Sequence, residues 1–151
     1  MSKKKERYER LYQQIEALVT KHNNPLSTMA TIVAVLQHKM KSYYWTGFYL
    51  LEDGELYVGP YQGTLACIHL KKNTGVCWAG INNQETVIVP DVHDFPGHIA
   101  CDSKTNSEIV VPLKDKKGNV IGILDVDSLD YNTFDEEDKA GLEKIIGLVY
   151  P

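Results

Sequence analysis

The chain has 151 residues, of which 43% are hydrophobic and 24% charged, a balance typical of one soluble globular domain. Sixteen Lys and Arg against 20 Asp and Glu give a net charge of −4, which argues against a dedicated nucleic-acid-binding protein because phosphate contacts need a basic surface. No stretch approaches the roughly 20 apolar residues of a membrane span, and no apolar segment follows the basic start MSKKKER. We expect a single domain over residues 1–151, without an export signal.

Two amphipathic helices are predicted within residues 1–42. Apolar residues recur at helical spacing from Lys4 to Lys21. Asn24-Pro25 is a helix-start signal, and a second apolar stripe runs from Met29 to Met40. A helical hairpin is therefore expected ahead of the rest of the chain.

Residues 43–128 are predicted to form a sheet with its active-site loops. Two strand-like runs flank the turn at residues 52–55, which is typical of a β-hairpin. Shorter β-rich runs follow at Leu65–Leu70, Thr86–Val89, Glu108–Leu113 and Val120–Val126. A last helix is predicted within residues 133–149, beginning with the T-x-x-E capping box at Thr133–Glu136. The pattern indicates an α+β fold, an antiparallel sheet with the N- and C-terminal helices packed on one face.

The segment Pro90–Asn106 lacks clear periodicity and carries two histidines, three aspartates and a cysteine. Loops longer than about 12–15 residues are uncommon in compact domains and are usually functional. We expect this loop to contribute to a site.

Three cysteines, at positions 67, 77 and 101, favour a reducing cytosol, because an odd number cannot pair completely. Cys101 lies in the long loop, where it is either a reactive thiol or a small apolar side chain packed against Ile99. Cys67 and Cys77 each look like buried or element-end positions. Together the three also allow one thiol to attack an oxidised substrate and another to resolve the product.

A zinc site is the weaker alternative. The residue types for it are present, as Cys67, His69, Cys77, His93, His98 and Cys101. The chain has no C-x-x-C or H-x-x-x-H pair, and structural zinc sites usually use such short spacings. We expect no metal and no cofactor.

Asp125 and Asp127 alternate along one predicted strand, so their side chains share a face, and Glu108 begins the preceding strand. These acids are either a solvated strand end or an acidic pocket. Such a pocket would bind a cationic group such as an α-ammonium, or would raise the pKa of one carboxyl so that it acts as an acid. Trp45 and Tyr49, on an early strand, are core aromatics by default.

The chain resembles the free methionine-(R)-sulfoxide reductase family, which is built on a single GAF domain. The resemblance runs from about Tyr43 to Ile145. It is carried by GPYQG, LACIHL, GVCWAG, VPDVHDFPGHIACDSKTNSEIVVPL, GNVIGILDVDS and FDEEDKAGLEKI. The resemblance implies a GAF-like fold and reduction of free methionine (R)-sulfoxide, with thioredoxin as the reductant, in a cytoplasmic homodimer.

The resemblance also implies residue roles. Cys101 matches the catalytic nucleophile, Cys67 the cysteine that resolves its sulfenic acid as a disulfide, and Cys77 an auxiliary cysteine. The substrate-binding positions it implies are Trp45, which would contact the substrate methyl group, Glu108, Asp125 and Asp127. Tyr49, Ile99 and Ala100 complete the expected substrate-binding set. Ile99 and Ala100 are included because backbone N–H groups of the Ile99–Cys101 turn could hold the sulfur anion.

A non-catalytic GAF domain that senses a small ligand or the redox state is the alternative function. It could use the same cysteines. That alternative predicts an attached output domain or long signalling helices, which we do not expect from this sequence.

Overall fold

The computed structural model describes residues 1–98 and 101–151 and has a six-stranded antiparallel sheet between two groups of helices. The helices are α1 (Lys3–Val19), α2 (Pro25–Lys39), α3 (Gly75–Asn83) and α4 (Glu136–Ile146), with a 3-10 turn at Val92–Asp94. The strands are β1 (Trp45–Glu52), β2 (Glu55–Gln62), β3 (His69–Leu70), β4 (Val87–Val89), β5 (Ser107–Lys114) and β6 (Val120–Ser128). They lie in the order β3-β2-β1-β6-β5-β4.

The terminal helices α1, α2 and α4 pack on one face of the sheet, as the sequence predicts. Their apolar stripes meet the inward side chains of β1, β5 and β6 in one buried cluster, which includes Ile15, Ile32, Leu36, Phe48, Ile109, Leu124 and Leu142. A buried polar link joins α1 to α4, since the Tyr8 hydroxyl donates to Asp138 at 2.5 Å and lies 2.5 Å from the Tyr43 hydroxyl. The α+β prediction is therefore confirmed, including the face on which these helices lie.

The predicted hairpin between β1 and β2 is present. Glu52 pairs with Glu55, and Asp53 and Gly54 both have positive φ angles, of 52° and 79°. A two-residue turn of this kind matches the right-handed twist of the strands that it joins.

The start of α4 differs from the prediction. The N-cap is Asp135 rather than Thr133, and the box is completed by Asp138, whose carboxylate accepts the Asp135 backbone N–H at 2.9 Å. The Thr133 hydroxyl instead lies 2.7 Å from that of Ser128 and ties the end of β6 to the following loop.

Helix α3 covers the opposite face, and the sequence did not predict it. It has only nine residues and buries Val76, Cys77, Trp78 and Ile81, so its polar face is too small to produce a clear helical period. The strand predicted over Leu65–Leu70 is wrong for most of its length, because only His69 and Leu70 pair with β2. Residues 63–68 form a loop beside α3, and this loop carries Cys67.

No helix in the described part of the chain has the length and apolar character needed to cross a membrane.

Candidate active site

The strand register brings the predicted acids and Trp45 together on the α3 face of the sheet. Asp127 pairs with Trp45 on one side and with Glu108 on the other, so the three form one row across β1, β6 and β5. Asp125 lies in the next row, opposite Gly47. A Cβ atom on Gly47 would lie 2.4 Å from the Trp45 ring, so only glycine leaves room for this indole.

A cavity of about 600 Å³, including open space at its mouth, lies between this face, α3 and the two cysteine loops. The predicted site residues that line it are Trp45, Tyr49, Cys77, Cys101, Glu108, Asp125 and Asp127. Predicted residues Ile99 and Ala100 lie outside the described residues.

Cys67 and Cys101 are joined by a disulfide, and Cys101 lines this cavity. Their Cα atoms are 5.6 Å apart and 34 residues separate them in sequence. The pairing is the one that the family resemblance implies. Cys67 is half-buried and Cys101 is exposed, so a reductant can reach this bond from solvent.

Burial and mutual repulsion hold protons on the acid cluster of Glu108, Asp125 and Asp127. Glu108 and Asp125 are each only 5% exposed, which excludes a solvated strand end for these two. Burial, followed by the charges of Asp125 and Asp127, raises the pKa of Glu108 well above its usual value. Burial also raises the pKa of Asp125, and burial with the Asp125 charge raises that of Asp127. The cluster can therefore hold a proton near neutral pH and donate it.

The described residues that line the cavity favour a cationic ligand over an anionic one. None of the described residues that line it is Lys or Arg, whereas four of them are Asp or Glu. Within the described ranges, Oδ1 of Asp125 and Oδ1 of Asp127 are buried without a hydrogen-bond partner. A buried carboxylate oxygen without a donor is costly, so both atoms favour a cationic ligand that brings donors of its own.

Cys77 lies on α3 beside the acids and is 6% exposed. Burial, followed by the charges of Asp125 and Glu108, raises the pKa of its thiol well above the usual value. It is thus a protonated thiol at neutral pH and a poor nucleophile in this conformation.

Among the described residues, the zinc ligands considered from the sequence do not form a group of three that could hold an ion. His69 pairs with Glu55 at 3.0 Å and His93 with Asp91 at 2.8 Å, each at the surface. A different group, formed by Cys77, Glu108 and Asp125, places its ligand atoms within 4.8 Å of one another and could hold a cation.

Two features of the site have only weak sequence signals. The first turn of α3 lines the cavity through Thr74, Gly75 and Val76, and the φ of +84° at Gly75 marks the turn into the helix. His98 also lines the cavity, and burial, followed by the charge of His93, lowers its pKa, so the ring is neutral at pH 7. In the sequence, the start of α3 is indicated only by Gly75, a glycine within an apolar run.

Replacing Glu108 with Gln should stabilise the protein at neutral pH while it impairs the site. The raised pKa means that the folded state binds more protons than the unfolded state between the two pKa values, so the stability from this group falls as pH rises. Glutamine does not ionise, so the variant lacks this loss of stability at higher pH. Thermal melts should show a higher Tm at pH 7.5, by roughly 2–4 °C for each kcal/mol gained, and a gain that shrinks toward pH 4. A variant less stable at pH 7.5 would contradict the buried-acid assignment.

Comparisons with known proteins identify the family of this chain. The GAF domain family model matches residues 23–149. The free methionine-R-sulfoxide reductase of Escherichia coli (strain K12) is 41% identical over 143 residues, which cover 95% of this chain and 86% of that protein. The free methionine-R-sulfoxide reductase of Neisseria meningitidis, solved in complex with its substrate, superposes with a TM-score of 0.91 at 38% identity and covers 99% of this chain and 89% of that one.

The reduced form of the Staphylococcus aureus protein named fRMsr superposes with a TM-score of 0.89 at 39% identity, over 94% of this chain and 92% of that one. Identity near 40% over almost the full length of each protein, together with the same fold, settles the relationship. This chain belongs to the free methionine-R-sulfoxide reductase family of GAF-domain proteins.

Proposed function

We propose that this chain reduces free L-methionine (R)-sulfoxide to methionine. The observation that carries the proposal is the pair of unpartnered, buried carboxylate oxygens of Asp125 and Asp127 in the cavity that Cys101 also lines. An ammonium has three N–H donors and one positive charge, which suit two such oxygens. The similarity to proteins named free methionine-R-sulfoxide reductase supports the substrate class.

Two groups of residues that line the cavity suit the two charges of a free amino acid. The acids would bind the α-ammonium, and the first turn of α3 would bind the α-carboxylate. In the described structure the Thr74 N-cap makes no side-chain hydrogen bond to that turn, which leaves its N–H donors for a ligand. Trp45 would contact the methyl group and sulfur, a favourable aromatic contact. A residue within a peptide has neither charge, which would restrict the enzyme to the free amino acid.

The chemistry would begin at Cys101. Its thiolate bonds to the sulfoxide sulfur, and Glu108 supplies a proton to the oxygen. The hydroxyl then passes to the Cys101 sulfur while the bonds from the methionine sulfur to oxygen and to Cys101 break, so that methionine leaves reduced and Cys101 is oxidised to a sulfenic acid. Cys67 then condenses with this sulfenic acid, which forms the disulfide and releases water. Neighbouring carboxylates disfavour a thiolate, and the ammonium of the bound substrate would offset that effect.

The disulfide must be reduced by an external dithiol before the next cycle. We propose thioredoxin as that reductant, in the cytoplasm, since the Cys101 side of the disulfide is exposed and a reducing compartment keeps Cys77 a thiol. We also propose that the protein acts as a homodimer, on the basis of the family resemblance.

The direct test is turnover. The protein is incubated with racemic free methionine sulfoxide and dithiothreitol, and both the methionine released and the remaining epimers are measured. We expect about half of the sulfoxide to be consumed and the S epimer to remain, because a chiral site presents only one epimer correctly. Absence of turnover would overturn the proposal, and binding without turnover would instead favour the sensor.

Replacing Asp127 with Asn should raise KM by about 10–100-fold, the effect of losing a hydrogen bond to a charged group. The fold should persist, because Asn occupies the same volume. Steady-state kinetics and far-UV circular dichroism together measure this. Asp115→Asn is the matched control, since this carboxylate accepts hydrogen bonds in an exposed turn outside the cavity. A loss of folded structure in Asp127→Asn would show that the residue is structural.

A further inference from the structure

One carboxylate joins the two loops that carry the reacting cysteines. Asp102 directly follows Cys101, and its Oδ2 accepts the hydroxyl of Tyr44 at 2.6 Å and that of Thr64 at 2.9 Å. Its Oδ1 accepts the backbone N–H of Lys104 at 2.9 Å. Thr64 lies in the loop of residues 63–68, three residues before Cys67, and Tyr44 immediately precedes β1. The contacts therefore connect the Cys101 loop, the Cys67 loop and the sheet.

The Cys67 loop is also fixed to the wall of the cavity. The indole N–H of Trp45 donates to the carbonyl of Thr64 at 2.9 Å. Gly63 has a φ of +120°, and a Cβ atom there would lie 2.9 Å from both the Trp45 ring and the Tyr44 carbonyl oxygen. Thr64 is thus held by Trp45 through its backbone and by Asp102 through its side chain.

The carboxylate is ionised when the enzyme works. The hydrogen bond from Tyr44, followed by that from the Lys104 N–H, lowers the pKa of Asp102 below its usual value. Hydrogen bonds to a charged acceptor are stronger than those between neutral groups. Both hydroxyl contacts therefore persist at neutral pH.

Condensation of a sulfenic acid with a thiol depends on how often the two groups meet. In the proposed cycle the Cys101 sulfenic acid forms while Cys67 is still a thiol, so no covalent bond then holds the two loops together. A noncovalent contact that keeps them adjacent raises the effective concentration of one group at the other. Asp102, next to Cys101, makes such a contact with Thr64, which lies three residues before Cys67.

We propose that Asp102, with Thr64 and Tyr44, is a latch that holds the Cys67 loop against the Cys101 loop, so that the Cys101 sulfenic acid condenses with Cys67. This inference rests on the proposed function and assigns Asp102 as a positioning residue for its second step. In that step the Cys67 sulfur bonds to the Cys101 sulfur, the S–O bond breaks, and the hydroxyl leaves as water with the Cys67 proton.

The test measures how the sulfenic acid is partitioned after one turnover. Reduced enzyme is mixed with one equivalent of sulfoxide and a sulfenic-acid trap of the dimedone type, and mass spectrometry gives the ratio of trapped Cys101 to the Cys67–Cys101 disulfide. Asp102→Ala and Thr64→Val should each raise this ratio by about tenfold or more, because a charged hydrogen bond between the loops is lost. Thr64→Ser keeps the hydroxyl and should restore the wild-type ratio.

The control is Asp115→Ala, which removes an exposed turn carboxylate that accepts backbone N–H groups as Asp102 does. It should leave the ratio unchanged. Wild-type ratios in both Asp102→Ala and Thr64→Val would overturn the latch. So would a Thr64→Ser variant as impaired as Thr64→Val, since packing rather than the hydrogen bond would then be responsible.

The same experiment with hydrogen peroxide separates this inference from the proposed function. Peroxide oxidises a thiol to a sulfenic acid and releases water, so it starts the second step without methionine sulfoxide. A wild type that releases no methionine would count against the proposed reductase activity. The peroxide ratios would still decide for or against the latch. If Asp102→Ala fails to fold, the comparison of Thr64→Val with Thr64→Ser decides alone.

Discussion

Replacing Cys101 with serine should abolish methionine formation, a loss of at least about 10³-fold, because the nucleophile of the proposed reaction is removed. A serine hydroxyl stays protonated at neutral pH and cannot form the sulfenic acid. The measurement is methionine release with excess dithiothreitol. The variant should still bind the substrate, since the acids, the start of α3 and Trp45 are unchanged, and titration calorimetry can verify this binding. Turnover within tenfold of wild type would show that another group is the nucleophile.

Replacing Cys67 with serine should allow about one methionine per chain and then stall when thioredoxin is the reductant. The first chemical step needs only Cys101, whereas its sulfenic acid then lacks the intramolecular partner that makes a disulfide. Rapid-quench kinetics should show a burst of one equivalent followed by a slow phase. Cys101→Ser is the matched control, because it should show no burst. Equal multiple-turnover rates in wild type and Cys67→Ser would contradict the assignment of Cys67.

The geometry of the acid cluster depends on a local property of one strand, its two-residue period, and on a long-range property of the sheet, its register. The two-residue period of a strand predicts from sequence alone that Asp125 and Asp127 share a face. The placement of Glu108 and Trp45 beside Asp127 depends on the register of three strands. That register is set by tertiary packing, because a slip of one residue would turn every side chain to the opposite face.

The residues that sequence could not predict make long-range contacts. Asp102 meets Thr64 across 38 positions and Tyr44 across 58, and a lone aspartate beside a cysteine gives no sign of either contact. Helix α3 was missed for a local reason, since burial on most sides removes the polar stripe that reveals a helix. The Cys67–Cys101 pairing came from family resemblance, because spacing alone allowed several pairings.

The buried acids lower the stability of the fold, although the proposed function needs them. Glu108 and Asp125 are almost completely buried, and the adjoining Oδ1 atoms of Asp125 and Asp127 lack partners in the described structure. An isolated fold would be more stable with neutral side chains there. In the proposed reaction, the ammonium of the substrate would compensate for this cost only while it is bound.

Peptide mapping of the reduced enzyme after a single turnover tests the central claim most directly. Free methionine sulfoxide is added in one equivalent, the thiols that remain are alkylated, and the digest is analysed alongside the methionine released. We predict one disulfide between Cys67 and Cys101 for each methionine formed, with Cys77 recovered as an alkylated thiol. Methionine formation with both Cys67 and Cys101 recovered as free thiols would contradict the account.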